Sequence, residues 1–136
     1  MKRVAAAVIE KGGRILIAKR RADSRHAAGK WEFPGGKVEG QETPEESLRR
    51  ELHEELGIET EVGSFVVSSE YMYPHGCIEL LAYRVCHVSG DFMLHDHEQI
   101  EWVTPAEMDD YDFAPADIAI VRRIQECSEG LYPEDR

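Results

Sequence analysis

The chain has 136 residues, 42% of them hydrophobic, which suits a single domain with one continuous core. Its 27 acidic and 16 basic side chains give a formal net charge of −11, so we expect no nucleic acid polymer as a ligand. No apolar run reaches the roughly 18 residues of a membrane span, and the run at 4–9 is shorter than a signal-peptide core. We therefore expect a cytoplasmic protein that does not enter a membrane.

The cysteines and histidines form no disulfide or zinc pattern. Cys77, Cys86 and Cys127 are odd in number and widely spaced, without a C-x-x-C pair. His95 and His97 have no third histidine or cysteine nearby, so we assign no zinc site. We expect reduced, partly buried thiols.

The first elements in chain order are two short β-prone runs, residues 4–10 and 14–20. The Lys-Gly-Gly sequence at 11–13 suits a tight reversal and predicts a β-hairpin. A polar, irregular segment follows, and an alternating pattern resumes at 31–33. We expect a sharp turn at the Pro-Gly-Gly of residues 34–36, in the kind of loop where functional residues concentrate.

The next segment carries the signals of one amphipathic helix over residues 44–56. Thr43 suits the N-cap, Pro44 the first helical position, and Glu46 completes a T-x-x-E capping box. Gly57 ends the pattern. One stripe of the helix should face the core, because leucines recur every four residues. These are Leu48, Leu52 and Leu56.

The remaining elements predict an α/β fold. Strand-like runs follow the helix at residues 64–70, 78–88 and 99–103. A short helix should start at Pro105, and residues 115–127 carry apolar side chains at mostly helical spacing. We expect a mixed β-sheet between helices on its two faces, in one domain over residues 1–128 with a tail at 129–136.

A cluster of carboxylates marks the predicted helix. Glu51, Glu54 and Glu55 are spaced i, i+3, i+4 and project from one arc of roughly 100°. Their mutual repulsion increases when a substrate excludes water, so the cluster favours a bound cation. Oxygen ligands of this kind suit Mg²⁺, and Mn²⁺ is also possible.

A solvated helix face is the alternative interpretation of the same residues. Glutamates are good helix formers, and Arg50 and Glu54 can form an i,i+4 ion pair. The preceding segment favours a site, because Gly35 and Gly36 allow backbone to approach a ligand and Glu42 can bring a further carboxylate to the same space.

This window resembles the signature of the Nudix hydrolases, G-x5-E-x7-R-E-U-x-E-E-x-G-U, where U is a bulky aliphatic residue. Every fixed position of that pattern is matched within 23 residues, which is far more specific than a short glycine motif. The matching residues are Gly36, Glu42, Arg50, Glu51, Leu52, Glu54, Glu55, Gly57 and Ile58.

The resemblance extends over about residues 2–126 to the MutT-like branch, and most closely to its CTP pyrophosphohydrolase and 8-oxo-dGTP diphosphatase relatives. Residues 31–36, W-E-F-P-G-G, are similar to the lead-in of that branch. Asp96-His97 before Trp102 resembles its E-H-x4-W element, and residues 114–117 match A-P-A-D. Asp96 departs from the usual glutamate, so Glu98 is an alternative for its role.

The resemblance implies a magnesium enzyme that releases pyrophosphate and a nucleoside monophosphate, with nucleotide-pool sanitation as a possible role. The implied metal ligands are the Gly35 carbonyl, Glu51, Glu54 and Glu55, with Asp96 or Glu98 from a loop. Glu51 or Glu54 is expected to accept a proton from the attacking water, and Arg50 to orient a neighbouring carboxylate.

The resemblance also implies a set of substrate-binding residues. Asp117 should face the base, although an acidic residue near a helix N-terminus is usually a cap or dipole partner. An ionised Asp117 would only accept hydrogen bonds, which suits the amino group of cytosine or the donors of an oxidised guanine. The other candidates for contacts with phosphate, sugar or base are Arg21, His26, Phe33, Lys37 and Phe113.

Two other functions use the same signature. One is a Nudix hydrolase acting on a dinucleotide or a sugar nucleotide, because the box specifies only the metal-diphosphate chemistry. The other is a non-catalytic domain that senses a nucleotide or binds a protein partner, which a complete carboxylate set argues against. For any of them we expect a monomer or homodimer.

Overall fold

The computed structural model describes residues 1–24 and 27–127. Its strands are β1 (Lys2–Lys11), β2 (Arg14–Arg20), β3 (Trp31–Glu32), β4 (Gly35–Lys37), β5 (Glu59–Tyr73), β6 (Gly76–Ser89) and β7 (His97–Val103). Its helices are α1 (Pro44–Leu56) and α2 (Ile118–Glu126), with 3-10 helices at Ala106–Asp110 and Pro115–Asp117. Within these residues no helix has the length and apolar character needed to cross a membrane.

The strands form the mixed sheet predicted from the sequence. β1 pairs in parallel with β6, while β4 runs antiparallel to β1 and β5 antiparallel to β6. The end of β1 turns back through Gly12 and Gly13, both with positive φ, so that β1 and β2 form the predicted hairpin. β2 then pairs antiparallel with β3 and β7.

The core has two layers because both faces of β1 are buried. Ala5, Ala7 and Ile9 pack on one face with the buried leucines of α1. Ala6 and Val8 point to the other face, which α2 covers. Alternate side chains of a strand point to opposite faces, so an apolar run of this kind requires cover on both sides. The α/β/α architecture is thereby confirmed.

Helix α1 has the bounds and the capping that its sequence predicts. The Thr43 hydroxyl accepts a hydrogen bond from the Glu46 backbone N–H at 3.1 Å, and the Glu46 side chain accepts one from the Thr43 backbone N–H at 2.8 Å. Gly57 ends the helix in the left-handed conformation with φ 70°. The three leucines of the predicted stripe are fully buried.

Several predicted element bounds need correction. β5 and β6 are longer than the predicted runs, because they pair with each other along nearly their whole length. In the segment at 34–36 the chain bends only at Pro34, because Gly35 and Gly36 pair with β1 as part of β4. A Cβ at Gly35 would lie 1.9 Å from the Ala5 carbonyl oxygen, so glycine is needed for this close pairing. The predicted last helix begins as the 3-10 turn Pro115–Asp117. The predicted tail lies outside the described residues.

Candidate active site

A cavity of about 440 Å³ lies beside β4 and the first half of β1, and several predicted site residues line it. One group is acidic and comes from α1 and the loop before β7: Glu51, Glu55 and Asp96. A second group comes from β3, the segment after it and the turn before α2: Glu32, Phe33 and Asp117. Gly35 and Lys37 of β4 also line the cavity.

Glu51 and Glu55 form the buried part of the acidic group. They lie one helical turn apart, directly beside the leucine stripe, so they point toward β4. Gly36 leaves room for Glu51, because a Cβ at Gly36 would lie 2.2 Å from the Glu51 carboxyl carbon. Glu55 Oε1 is buried and has no hydrogen-bond partner among the described residues. An oxygen in that state lacks the partner that buried acceptors almost always have.

Burial raises the pKa values of both carboxyls. The pKa of Glu55 rises to about 10, first through burial and then through the charges of Glu51 and Glu32. Burial also raises the pKa of Glu51, although the Arg50 guanidinium opposes the rise. Without a metal, Glu55 therefore retains a proton at a position where a cation could bind.

Arg50 organises the carboxylates around α1. Its guanidinium donates to both oxygens of Glu42, at 2.6 and 2.9 Å, and to the Lys37 carbonyl oxygen at 3.2 Å. It also reaches Glu51 at 3.2 Å and Glu54 at 3.3 Å. Glu42 thus binds Arg50 and does not line the cavity, contrary to our expectation for it. The expected orienting contact of Arg50 with a neighbouring carboxylate is present.

Glu54 lies outside the cavity in this structure. Its side chain is 57% exposed and forms the i,i+4 ion pair with Arg50 that the solvated-face interpretation describes. The sequence pattern placed Glu54 on one arc with Glu51 and Glu55, but only the latter two share the row next to the buried leucines. The structure therefore divides the predicted cluster into two inward carboxylates and one outward carboxylate.

The loop before β7 places Asp96 over the end of α1. The Met93 and His95 N–H groups donate to the Leu56 and Glu55 carbonyl oxygens at 2.8 and 3.1 Å. The His95 ring lies 2.7 Å from the Glu54 carbonyl oxygen. These contacts satisfy carbonyls that a helix end leaves unpaired, and they fix the loop against the helix.

Glu98 is not brought to the cavity, although it was the alternative to Asp96. A β-bulge is the reason, because Lys19 pairs with Gln99 and Arg20 with His97, which leaves Glu98 unpaired between them. The Glu98 side chain is 41% exposed and lies 3.5 Å from Lys19.

The acidic group fits a divalent cation that completes its coordination with substrate. No three His, Cys, Asp or Glu side chains within residues 1–24 and 27–127 form a closed metal cage. Mg²⁺ is usually held by one or two carboxylates together with water and substrate phosphates, so a closed cage is not required. The unpartnered Glu55 oxygen and the carboxylate-only donor set are both consistent with that mode.

Asp117 faces the cavity and does not cap α2. It makes no side-chain capping hydrogen bond, and its Oδ2 instead accepts one from the Phe33 backbone N–H at 2.9 Å. Burial, followed by the charge of Glu32, raises the pKa of Asp117 well above its usual range. Burial therefore favours the protonated form of Asp117 in the free protein, whereas our expectation considered the ionised form that only accepts hydrogen bonds.

The other predicted substrate-binding residues occupy different positions. Phe33 lines the cavity, whereas Phe113 lies behind it with the two ring centroids 5.5 Å apart. Lys37 lines the cavity, but Arg21 does not, and its exposed side chain lies 3.5 Å from Asp23. His26 lies outside the described residues.

Sequence reasoning missed several residues of the cavity wall. Arg20 lies 3.0 Å from one oxygen of Glu32, and His97 lies 2.8 Å from the other. A charged residue between the aromatic Trp31 and Phe33 was the available signal for Glu32. Tyr73 and His75 also line the cavity, at the turn between β5 and β6, and no sequence signal distinguished them.

Comparisons with known proteins identify the family of this chain. The NUDIX domain family model matches residues 1–124. The CTP pyrophosphohydrolase of Escherichia coli K12 is 45% identical over 118 residues, which cover 87% of this chain and 87% of that protein. The 8-oxo-dGTP diphosphatase of the same strain is 33% identical over 122 residues, covering 90% of this chain and 95% of that protein. The solution structure of the E. coli ORF135 protein matches with a TM-score of 0.87 and 41% identity, covering 98% of this chain and 94% of that one. The chain therefore belongs to the Nudix hydrolase family.

Proposed function

We propose that this Nudix hydrolase cleaves nucleoside triphosphates to a monophosphate and pyrophosphate with Mg²⁺, acting on CTP and dCTP or on oxidised nucleotides of the 8-oxo-dGTP type. The names of the two relatives support both substrate classes. The observation that carries the proposal is one cavity that joins the acidic group with the Glu32, Phe33 and Asp117 wall.

The acidic group supplies the cation site in this proposal. Glu51, Glu55, Asp96 and the Gly35 carbonyl would hold Mg²⁺, and Mn²⁺ suits the same oxygen donors. When bound, the metal neutralises phosphate charge and lowers the pKa of an attacking water. Glu54 joins the set if its carboxylate leaves Arg50, which holds it by a single 3.3 Å contact.

Glu51 is the better placed of the two candidate general bases. Its carboxylate faces the cavity, whereas that of Glu54 faces solvent. Arg50 contacts Glu51 with one nitrogen while its other nitrogens bind Glu42 and the Lys37 carbonyl. Arg50 thus orients Glu51 without entering the cavity, and Lys37 is the cation of β4 available to a phosphate.

The second group of wall residues supplies base recognition. Burial favours the protonated form of Asp117, which would offer one hydrogen-bond donor, while the Glu32 carboxylate beside it would offer acceptors. Cytosine presents the complementary pair, because its amino group donates and its ring N3 accepts. An oxidised guanine also presents a donor beside an acceptor, so both substrate classes fit this wall.

Pyrophosphate release across a nucleotide panel with Mg²⁺ tests the proposal. The panel contains CTP, dCTP, 8-oxo-dGTP and unmodified dGTP, with ADP-ribose and a dinucleotide as diphosphate-linked controls. The proposal requires the highest kcat/KM on one of the first three compounds. Preference for a control compound would assign another Nudix activity, and binding without turnover would indicate a nucleotide sensor.

A further inference from the structure

The wall of the cavity contains a partly buried network in which Glu32 is the member that the proposed function already uses. Arg20 Nη1 lies 3.0 Å from Glu32 Oε1, and His97 Nε2 lies 2.8 Å from Glu32 Oε2. The three side chains come from β2, β3 and β7, which are neighbours in the sheet. We propose that His97 is a positioning residue that fixes the Glu32 carboxylate for recognition of the nucleobase.

The β-bulge in β7 places His97 in this network. Residues of β7 pair with β2 one by one up to Gln99, and the bulge then puts His97 opposite Arg20. Without the extra residue, Glu98 would occupy that position and place a carboxylate beside Glu32. Because of the bulge, the cavity wall beside Glu32 carries the hydrogen-bond donor His97 instead of the like-charged Glu98.

The burial of the His97 side chain supports a role for its hydrogen bond with Glu32. The His97 side chain is only 4% exposed, and its Nδ1 is buried without a partner among the described residues. An unpaired buried N–H is rarer than an unpaired acceptor, so the proton belongs on Nε2, which donates to Glu32. An apolar side chain could fill the same space without burying an unsatisfied polar atom. What His97 provides in addition is the hydrogen-bond donor to Glu32.

Glu32 needs such a contact because it faces other acidic groups. Its charge raises the pKa values of both Glu55 and Asp117, so these two groups add a like charge beside the Glu32 carboxylate whenever they ionise. Arg20 holds one oxygen, and His97 holds the second, which sets the rotation of the carboxylate plane. A hydrogen bond between Glu32 and the nucleobase depends on the rotation of the carboxylate plane, whereas metal binding at Asp96 does not.

This inference rests on the proposed function, and a pair of amide variants tests it. The side-chain amide of His97→Gln reaches the position of Nε2, while that of His97→Asn reaches only the position of Nδ1. Both variants are polar and smaller than His, so they share the cost of altered packing. Each variant is made with and without Glu32→Gln, and Glu98→Gln is the surface control. Steady-state kcat and KM are measured for each protein on CTP and 8-oxo-dGTP.

We expect His97→Asn to lower kcat/KM on the preferred nucleotide roughly tenfold, mainly through KM, as for loss of one hydrogen bond to a charged group. His97→Gln should restore most of the loss, and neither variant should change the Mg²⁺ concentration for half activity. In the Glu32→Gln background the two His97 variants should differ little from each other.

Equal losses in His97→Asn and His97→Gln would overturn the inference, as would an undiminished effect of His97→Asn in the Glu32→Gln background. A changed Mg²⁺ requirement would assign His97 to the Asp96 loop instead. Binding of CMP and of 8-oxo-dGMP, measured calorimetrically in EDTA, gives a readout without turnover. A wild type that binds these monophosphates but releases no pyrophosphate would refute the proposed function, while the variant pair would still test His97.

Discussion

Replacing Glu55 with Gln should change how the stability of the metal-free protein depends on pH. In the folded protein the pKa of Glu55 is raised to about 10, against 4.5 for the unperturbed group. Between these values the folded chain holds a proton that the unfolded chain has released. The free energy of unfolding must therefore fall as pH rises through this window.

The size of the effect follows from one bound proton. Each pH unit inside the window lowers the free energy of unfolding by about 1.4 kcal/mol, so the loss between pH 6 and pH 8 is about 2.7 kcal/mol for Glu55 alone. The side-chain amide introduced by Glu55→Gln does not titrate, which removes that part of the slope. The raised pKa values of Glu51 and Asp117 contribute in both proteins.

Urea unfolding followed by tryptophan fluorescence, in EDTA at pH 6 and pH 8, measures both slopes. Glu98→Gln serves as the control, because Glu98 lies outside the cavity and should leave the wild-type slope unchanged. Parallel pH dependences for wild type and E55Q would refute the account of Glu55 as a buried, proton-holding carboxyl. Turnover with Mg²⁺ should meanwhile fall by ~10²–10⁴ in E55Q, because a metal ligand is lost.

Three further substitutions test the division of the site. Glu54→Gln should leave thermal unfolding unchanged, because the residue is exposed, yet lower kcat by ~10²–10⁴ if its carboxylate joins the metal; near wild-type turnover at saturating Mg²⁺ would exclude it. Asp96→Asn should raise the Mg²⁺ concentration for half activity more than Glu98→Gln does, and the reverse order in a magnesium titration would contradict the placement of Asp96. Asp117→Asn should change the ratio of kcat/KM on CTP to that on 8-oxo-dGTP without altering Mg²⁺ dependence, whereas equal losses on all nucleotides would limit Asp117 to a structural contact with Phe33.

Local signals explain why α1 was predicted with its observed bounds. The Thr43 cap, Pro44 and Gly57 act within a few residues of each helix end, so neighbouring sequence is sufficient to specify them. The periodicity of α1 placed Glu51, Glu54 and Glu55 on one arc, and the structure separates Glu54 from the other two within that arc. The latter two lie in the row beside the buried leucines, and only they are expected to face a partner of the helix.

The rest of the site depends on pairings between distant parts of the chain. The choice of Asp96 over Glu98 follows from a bulge against β2, and the role of Gly35 follows from its approach to Ala5. Glu32 meets His97 across 65 residues of sequence. The periodicity of a single segment does not predict contacts between distant segments. The motifs therefore predicted the carboxylate site but not all the residues that line the cavity.

Product analysis by ³¹P NMR tests the central claim most directly. Wild-type protein is incubated with CTP and, separately, 8-oxo-dGTP, in Mg²⁺ and in EDTA. The account predicts equal amounts of nucleoside monophosphate and pyrophosphate from at least one substrate, with cleavage abolished by EDTA and by Glu51→Gln. Release of orthophosphate and a nucleoside diphosphate, or cleavage that persists in EDTA, would contradict it.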